Sequence, residues 1–150
     1  MRTVIQRVAK SSVAIDGSVT ASTGHGMVIL AGFTGADTIH DVEWMAGKII
    51  RLRIFDDSDG IMNLPVTDVG GELMVISQFT LYARTKKGNR PSYTDAAPPE
   101  IAIPLYDSFV KILGEALPGR VRTGRFGAEM AVELVNDGPV TIIIDSKCME

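Results

Sequence analysis

The sequence predicts a single α/β domain, in which a mixed, largely antiparallel β-sheet is partly covered by two helices. Three observations predict this class. The chain has 150 residues, which is close to one typical domain. Apolar residues recur at helical spacing in two segments, and strand-like runs precede, separate and follow them. A strong hairpin signal, Asp16-Gly17, lies between two predicted strands and excludes a purely parallel sheet.

The first three strands are predicted near the amino terminus. Residues 3–8 and 12–20 have a strand pattern, and Asp16-Gly17 interrupts the second because a type I′ turn needs positive φ at both positions. Residues 26–33 form an apolar run bounded by glycines, which is typical of a strand covered on both faces.

Two helices are predicted in the interior of the chain. The first follows Asp37 or Thr38, either of which can cap it, and reaches about residue 50. The second spans 100–117. Because proline is tolerated in the first turn of a helix, Pro104 places the start of its regular part nearby.

Four more strands are predicted, at residues 52–55, 72–83, 130–135 and 140–145. An acidic turn at 56–60 follows the first of them. Residues 84–99 form a polar, proline-ended loop, and a loop of this length is usually functional or mobile. Asn136-Asp137-Gly138-Pro139 is predicted to turn the chain between the last two strands.

Composition excludes several classes of protein. Hydrophobic residues make up 45% and charged residues 22%, so the chain is neither disordered nor fibrous. No apolar run approaches the ~18 residues of a membrane span. The single Cys148 cannot form an intrachain disulfide, and we expect a cytoplasmic protein. The net charge of −3, taken alone, argues against a nucleic-acid partner.

Standard catalytic signatures are absent from the sequence. The two histidines, His25 and His40, are isolated, and a loop or capping role is the simpler interpretation of each. The acidic turn is favoured as a surface turn over a divalent-cation site, because Phe55 stands where an EF-hand loop would begin. We therefore expect no metal and no cofactor.

Two segments nevertheless stand out chemically. Residues 77–81, SQFTL, place three polar side chains in an apolar strand, with Gln78 and Thr80 on the face of Met74 and Ile76. Such groups need hydrogen bonds from the protein or a ligand, although a strand emerging at a sheet edge explains them equally well. Residues 136–141, NDGPVT, expose glycine backbone beside a proline that can be cis, although a hairpin turn is the simpler interpretation.

Together, SQFTL and NDGPVT closely resemble the D-aminoacyl-tRNA deacylase family. Further matching stretches lie at residues 1–8, 53–55, 62–63, 90–93 and 123–128. The resemblance therefore covers nearly all of residues 1–150, with 148–150 as a tail. It implies one domain with α/β/β layers, a sheet with barrel-like curvature and both helices on one side. It also implies a metal-free homodimer that hydrolyses D-amino acids and glycine from tRNA.

The same resemblance implies the site residues. The catalytic candidates are Gln78, Phe79 and Thr80, and the substrate-binding candidates are Ser77, Met130, Gly138 and Pro139. It further implies that the Gly138-Pro139 bond is cis and enters the partner's pocket, where backbone excludes an L side chain.

The catalytic roles are argued from the residues. No histidine or lysine lies near Thr80 in sequence to activate it as a nucleophile. We therefore favour an oxyanion held by backbone N–H groups near Phe79, with Gln78 and Thr80 positioning the ester. Two other functions are considered, a non-catalytic dimeric RNA-binding module and a general small-molecule esterase.

The distribution of charge favours a nucleic-acid partner, although the net charge does not. Ten of the fifteen basic residues lie in three short segments: Lys48, Arg51 and Arg53; Arg84, Lys86, Lys87 and Arg90; Arg120, Arg122 and Arg125. The second segment follows SQFTL and contains no acidic residue, so its four residues are candidate tRNA contacts. Three solvated stretches that never meet are the alternative.

Overall fold

The computed structural model describes residues 1–149 as one domain. The strands are β1 (Arg2–Ile15), β2 (Ser18–Thr23), β3 (Gly26–Gly32), β4 (Phe55–Asp56), β5 (Met62–Leu64), β6 (Glu72–Ser77), β7 (Val121–Thr123) and β8 (Ala131–Asp145). The helices are α1 (Ile39–Ile50) and α2 (Pro99–Ala116), and Phe79–Tyr82 form a short 3₁₀ helix. Glu150, the end of the predicted tail, lies outside the described residues.

The main sheet is mixed, as predicted. Its strand order is β2-β1-β3-β6-β7, and β8 also pairs with β1. The pairings of β1 with β2, β3 and β8 are antiparallel, whereas β3, β6 and β7 run parallel. Because β2 also contacts β7, the two ends of the order approach each other and the sheet curves nearly into a barrel.

Two hydrophobic clusters lie on opposite sides of this sheet. The larger lies under the helices and includes Met45 and Ile49 from α1 and Phe109 and Leu113 from α2. The smaller cluster is built around Val28, Met74 and Ile76, with residues of β8 packed against it. Burial on both faces explains why β3 and β6 are apolar runs rather than alternating strands.

The amino-terminal hairpin is confirmed, with corrected limits. Asp16 and Gly17 have φ of 51° and 78°, the positive values that a type I′ turn requires. The strand before them is continuous from Arg2 to Ile15, so the predicted break between residues 8 and 12 is wrong. Residues 2–8 pair with β3 and residues 11–15 pair with β2, which together keep the whole strand extended.

Both helices are confirmed. Thr38 caps α1, and its N–H donates to the Asp41 carboxylate over 2.8 Å in a capping box. The predicted start of α2 near Pro104 is wrong, because the helix already begins at Pro99. Pro99 takes the first helical position, where its missing N–H costs nothing, and Pro104 lies inside the helix.

The predicted strand 72–83 is wrong beyond Ser77. β6 ends there, and the next residues enter the 3₁₀ helix, so Gln78 and Thr80 do not continue the face of Met74 and Ile76. The short strand predicted at 52–55 is also shifted, since β4 comprises only Phe55 and Asp56 and pairs with an unpredicted β5.

The predicted turn at 136–139 is wrong as well. β8 runs through these residues without reversing and stays paired with β1 on both sides of them. The pairing register shifts opposite Gln6, Val8 and Lys10, so the extra residues are accommodated as bulges within one long strand.

Candidate active site

A cavity of about 570 Å³ opens where β3 and β6 end. Its walls come from these strand ends, the start of α2, and the segments before α2 and before β8. Its polar, aromatic and sulfur-containing lining includes Ser77, Gln78, Phe79, Tyr93, Phe126 and Met130. Most of the remaining lining is alanine, glycine and aliphatic carbon, which makes the wall apolar.

Local backbone contacts explain why β6 stops beside this cavity. The N–H of Gln78 donates to the Ala31 carbonyl over 2.7 Å, and this is the last bond of the parallel ladder between β3 and β6. The chain then folds over Gly32. A Cβ at that position would lie 2.8 Å from the Gln78 carbonyl oxygen, so the close approach requires glycine.

The polar side chains of SQFTL lie at the end of β6 and the start of the 3₁₀ helix, and those of Ser77 and Gln78 line the cavity. Gln78 and Thr80 are joined there by a hydrogen bond from Nε2 to Oγ1. The N–H groups of Phe79 and Thr80 have no acceptor within residues 1–149, as expected of the first donors of a helix. Thr80 is half-buried beside the cavity and does not line it.

An aromatic pair stands at the mouth of the cavity. Phe79 is 56% exposed and Tyr93 is 39% exposed, and their rings meet edge to face at 5.2 Å. Tyr93 comes from the predicted loop, which begins with a bridge between Arg84 and Ser92. Arg84 also pairs with Asp95, and Nη2 lies 2.6 Å from Oδ1. The loop is therefore tied down beside the site.

The cavity wall offers no strong proton acceptor. No carboxylate, imidazole, amine or thiol is among its lining side chains in the described part of the chain. Within residues 1–149, no three histidine, cysteine, aspartate or glutamate side chains are grouped so that they could hold a metal ion. Chemistry here must use hydrogen-bond donors and groups that a substrate brings.

Gly138 and Pro139 lie away from this cavity in their own chain. They are exposed and face the stretch of β1 that pairs with the start of β3, whereas the cavity lies at the end of β3. The bond between them is cis. The buried side chain of Arg7 holds the segment, because its Nε donates to the Asp137 carbonyl over 3.0 Å.

The three basic segments lie at different places on one chain. Arg84, Lys86, Lys87 and Arg90 follow the 3₁₀ helix at the cavity end of the sheet and are exposed. Arg120 instead donates to the Gly71 carbonyl, at the opposite end of β6. Lys48 and Arg51 lie at the end of α1, which runs back from the cavity after β3. Arg125 adjoins Phe126 of the cavity wall.

Comparison with known proteins identifies the family. The family model described as D-Tyr-tRNA(Tyr) deacylase matches residues 4–145. The chain belongs to the D-aminoacyl-tRNA deacylase family. Proteins named D-aminoacyl-tRNA deacylase from Parabacteroides distasonis and Flavobacterium johnsoniae are 57% and 53% identical to it, over all of both chains.

Solved structures agree with this deacylase fold. A structure titled as the c-Myc DNA unwinding element binding protein has a TM-score of 0.92 at 39% identity, and the match covers 97% of this chain and 98% of the other. A second structure, titled as a probable eukaryotic D-amino acid tRNA deacylase, has a TM-score of 0.82 over 95% and 97% of the two chains. Its identity is 16%, so this second match shows the fold alone.

Sequence reasoning missed several residues around the cavity. Tyr93 and Phe126 line it, yet only their place in the family-like stretches 90–93 and 123–128 pointed to them. Arg2, whose guanidinium contacts the 3₁₀ helix, also lies in such a stretch, 1–8, but one basic residue at the start of a strand gives no further signal. No helix within residues 1–149 has the length and apolar character needed to cross a membrane.

Proposed function

We propose that this protein hydrolyses the ester that joins a D-amino acid, or glycine, to the 3′ end of a tRNA. The observation that carries the proposal is the cavity at the end of β6, whose apolar wall is interrupted by Ser77 and the Gln78 amide, beside the unpaired N–H groups of Phe79 and Thr80. Such a wall can take an amino-acid side chain while its few polar groups orient an ester. Family membership supports an aminoacyl-tRNA substrate, and that substrate fits a cytoplasmic location.

The chemistry rests on the free donors of the 3₁₀ helix. Water adds to the carbonyl carbon, and the N–H groups of Phe79 and Thr80 stabilise the oxyanion that forms. The ester C–O bond then breaks, and the ribose 3′-oxygen leaves with a proton. Because the wall holds no side-chain base, the neighbouring ribose 2′-hydroxyl helps to activate the water.

Gln78 and Thr80 position the ester in this mechanism. Their mutual hydrogen bond orients the Gln78 amide, which lines the cavity, whereas Thr80 remains behind it. A hydroxyl with no adjacent base is a weak nucleophile at neutral pH. The Thr80 hydroxyl therefore acts through Gln78.

Chiral selection is assigned to Gly138 and Pro139 of a second copy of the chain. On a bound ester, D and L forms differ only in where the side chain and the hydrogen project. A wall of backbone cannot move aside as a side chain can, so it excludes the L side chain and admits the D form. Glycine is accepted because steric exclusion cannot reject the smallest residue.

Strand β8 supports the homodimer that this arrangement needs. Among the described strands it pairs only with β1, so its other edge carries unpaired backbone groups. It also exposes large apolar side chains, since Val135 is 43% exposed and Ile143 is 68% exposed. Both features, and the exposed Gly138-Pro139 between them, favour burial against a second copy.

The basic loop is assigned to the tRNA. Lys86, Lys87 and Arg90 are exposed and lie beyond Arg84, close to the aromatic mouth of the cavity. Phosphate binding needs such local positive charge, whatever the net charge of the whole chain.

Deacylation of matched D- and L-aminoacyl-tRNA tests the proposal. We expect rapid release of D-tyrosine and glycine and slow release of L-tyrosine from the same tRNA. Tight tRNA binding with no turnover would favour the non-catalytic RNA-binding module. Rapid cleavage of simple esters, with no preference for tRNA, would favour a general esterase. Light scattering on the same sample tests the dimer.

A further inference from the structure

The guanidinium of Arg2 contacts the end of the 3₁₀ helix that carries Phe79 and Thr80. Its Nη1 donates to the Leu81 carbonyl over 2.7 Å, and its Cζ lies 4.8 Å from the centre of the Tyr82 ring. Two further donors, Nε at 2.9 Å and Nη2 at 2.8 Å, reach Oδ2 of Asp145. One side chain therefore connects this helix to the end of β8.

The Arg2 side chain supplies a hydrogen bond to a backbone carbonyl that a short helix leaves without a partner. The last carbonyls of a helix have no partner within it, and positive charge is favourable at that end. Here the N–H of Ala83 donates to the Thr80 carbonyl, whereas the Leu81 carbonyl accepts its hydrogen bond from Arg2. An arginine suits the position because its planar fork can donate in two directions while it stacks on an aromatic ring.

The other end of this connection is anchored in the buried part of the protein. Asp145 is followed by Ser146, which is buried, and whose N–H donates to the Met1 carbonyl over 2.8 Å. The α-ammonium group of Met1 is itself buried against Asp37 and the Ser146 hydroxyl. Arg2 thus ties the 3₁₀ helix to a part of the molecule that cannot shift easily.

We propose that Arg2 is a positioning residue for deacylation. By holding the Leu81 carbonyl it sets the orientation of the 3₁₀ helix, and with it the direction of the free N–H groups of Phe79 and Thr80. Arg2 does not line the cavity, so it acts through the helix and not on the substrate. The inference rests on the proposed function, because the N–H groups matter only if they face the reacting ester.

Arg2→Ala tests the inference against a matched control. We expect its kcat for D-aminoacyl-tRNA to fall by roughly 10- to 100-fold with little change in KM, since misaligned donors weaken transition-state stabilisation more than binding. The kcat of Arg2→Lys, which keeps the positive charge but lacks the planar guanidinium, should fall less. Arg53→Ala is the control, because exposed Arg53 also donates to a backbone carbonyl, that of Asn63, over 2.7 Å. Its kcat should match that of the wild type.

Chemical rescue separates positioning from a general loss of stability. Millimolar guanidinium should restore part of the kcat of Arg2→Ala by occupying the vacated position, while equal sodium should not. Amide hydrogen exchange should be faster at Leu81 and Ala83 in Arg2→Ala than in Arg53→Ala.

A wild-type kcat for Arg2→Ala would overturn the inference. A loss of kcat that is proportional to the loss in melting temperature, and that guanidinium does not restore, would overturn it as well. An inactive wild-type protein would instead refute the proposed function. In that case unchanged exchange at Leu81 and Ala83 would also refute the role of Arg2.

Discussion

Asp41 joins the start of α1 to the end of the chain. Its carboxylate accepts hydrogen bonds from the Thr38 N–H at 2.8 Å, the Ser146 hydroxyl at 2.7 Å and the Lys147 ammonium at 2.8 Å. Burial acts to raise the pKa of Asp41, but the bonds from Lys147, Ser146 and Thr38 outweigh it and hold that pKa far below 3.8.

The Asp41 network should make the protein sensitive to acid. A carboxyl whose pKa is depressed by folding contributes stability above its unfolded pKa, and this contribution is lost as the pH falls toward the folded pKa. Asp41→Asn should therefore lower Tm at pH 7 by roughly 4–8 °C, from a loss of about 2 kcal/mol. Thermal unfolding between pH 7 and 3 would test this, and the difference from wild type should shrink below about pH 4. A difference that stays constant with pH would contradict the assignment.

Thr80 offers a second test at the scale of one residue. If it only supports Gln78, Thr80→Ala should keep kcat within about tenfold of the wild type, because one supporting hydrogen bond is worth roughly 1 kcal/mol. Single-turnover deacylation of D-aminoacyl-tRNA measures this directly. If Thr80→Ala lost several orders of magnitude in kcat while Thr80→Ser kept the activity, the Thr80 hydroxyl would be the nucleophile.

Among the elements, the 3₁₀ helix and β8 differ most from expectation, for related reasons. SQFTL has the composition of a strand, but the parallel ladder stops at the bond from Gln78 to Ala31, where the chain folds closely over Gly32. NDGP has the composition of a turn, yet pairing with β1 on both sides keeps it in one strand. In both cases long-range contacts override local propensity.

The basic loop should contribute affinity without chiral selection. Lys86→Ala/Lys87→Ala should raise KM for tRNA and reduce its dependence on salt, because fewer counterions are released on binding. The D/L ratio should stay unchanged. Lys48→Ala/Lys111→Ala is the matched control, since both lysines are exposed on the later halves of the two helices, away from the cavity. Equal effects of both pairs would show a general charge effect.

At the scale of the whole molecule, the cavity and the Gly138-Pro139 segment occupy different ends of one sheet. β3 joins these two regions, and both are exposed in the single chain. In the proposed homodimer, a second copy that pairs along β8 would bring one region to the other. The proposed site would then be shared between two copies of the chain.

Complementation tests that shared site. Gln78→Ala should impair the cavity, and Gly138→Ala should disturb the wall, because a Cβ there would lie 2.9 Å from Val140 Cγ2 at a φ of +126°. After the two variants are unfolded and refolded together, a heterodimer should carry one site with both parts intact. Recovery of D-selective activity above that of either variant is expected. No recovery despite heterodimer formation would place both parts in one protomer.

The amino-acid sequence alone predicts the α/β class, the apolar strands β3 and β6, both helices and the Asp16-Gly17 hairpin. These follow from local periodicity and turn chemistry, which neighbouring residues carry. It also pointed to Gln78 as a polar side chain in an apolar strand, and to Phe79 and Met130 through resemblance to a family. The end of β6, the continuity of β8 and the contact of Arg2 with the 3₁₀ helix appear only in the folded chain. Each of those depends on hydrogen bonds between residues far apart in the chain, and local sequence does not encode such partners.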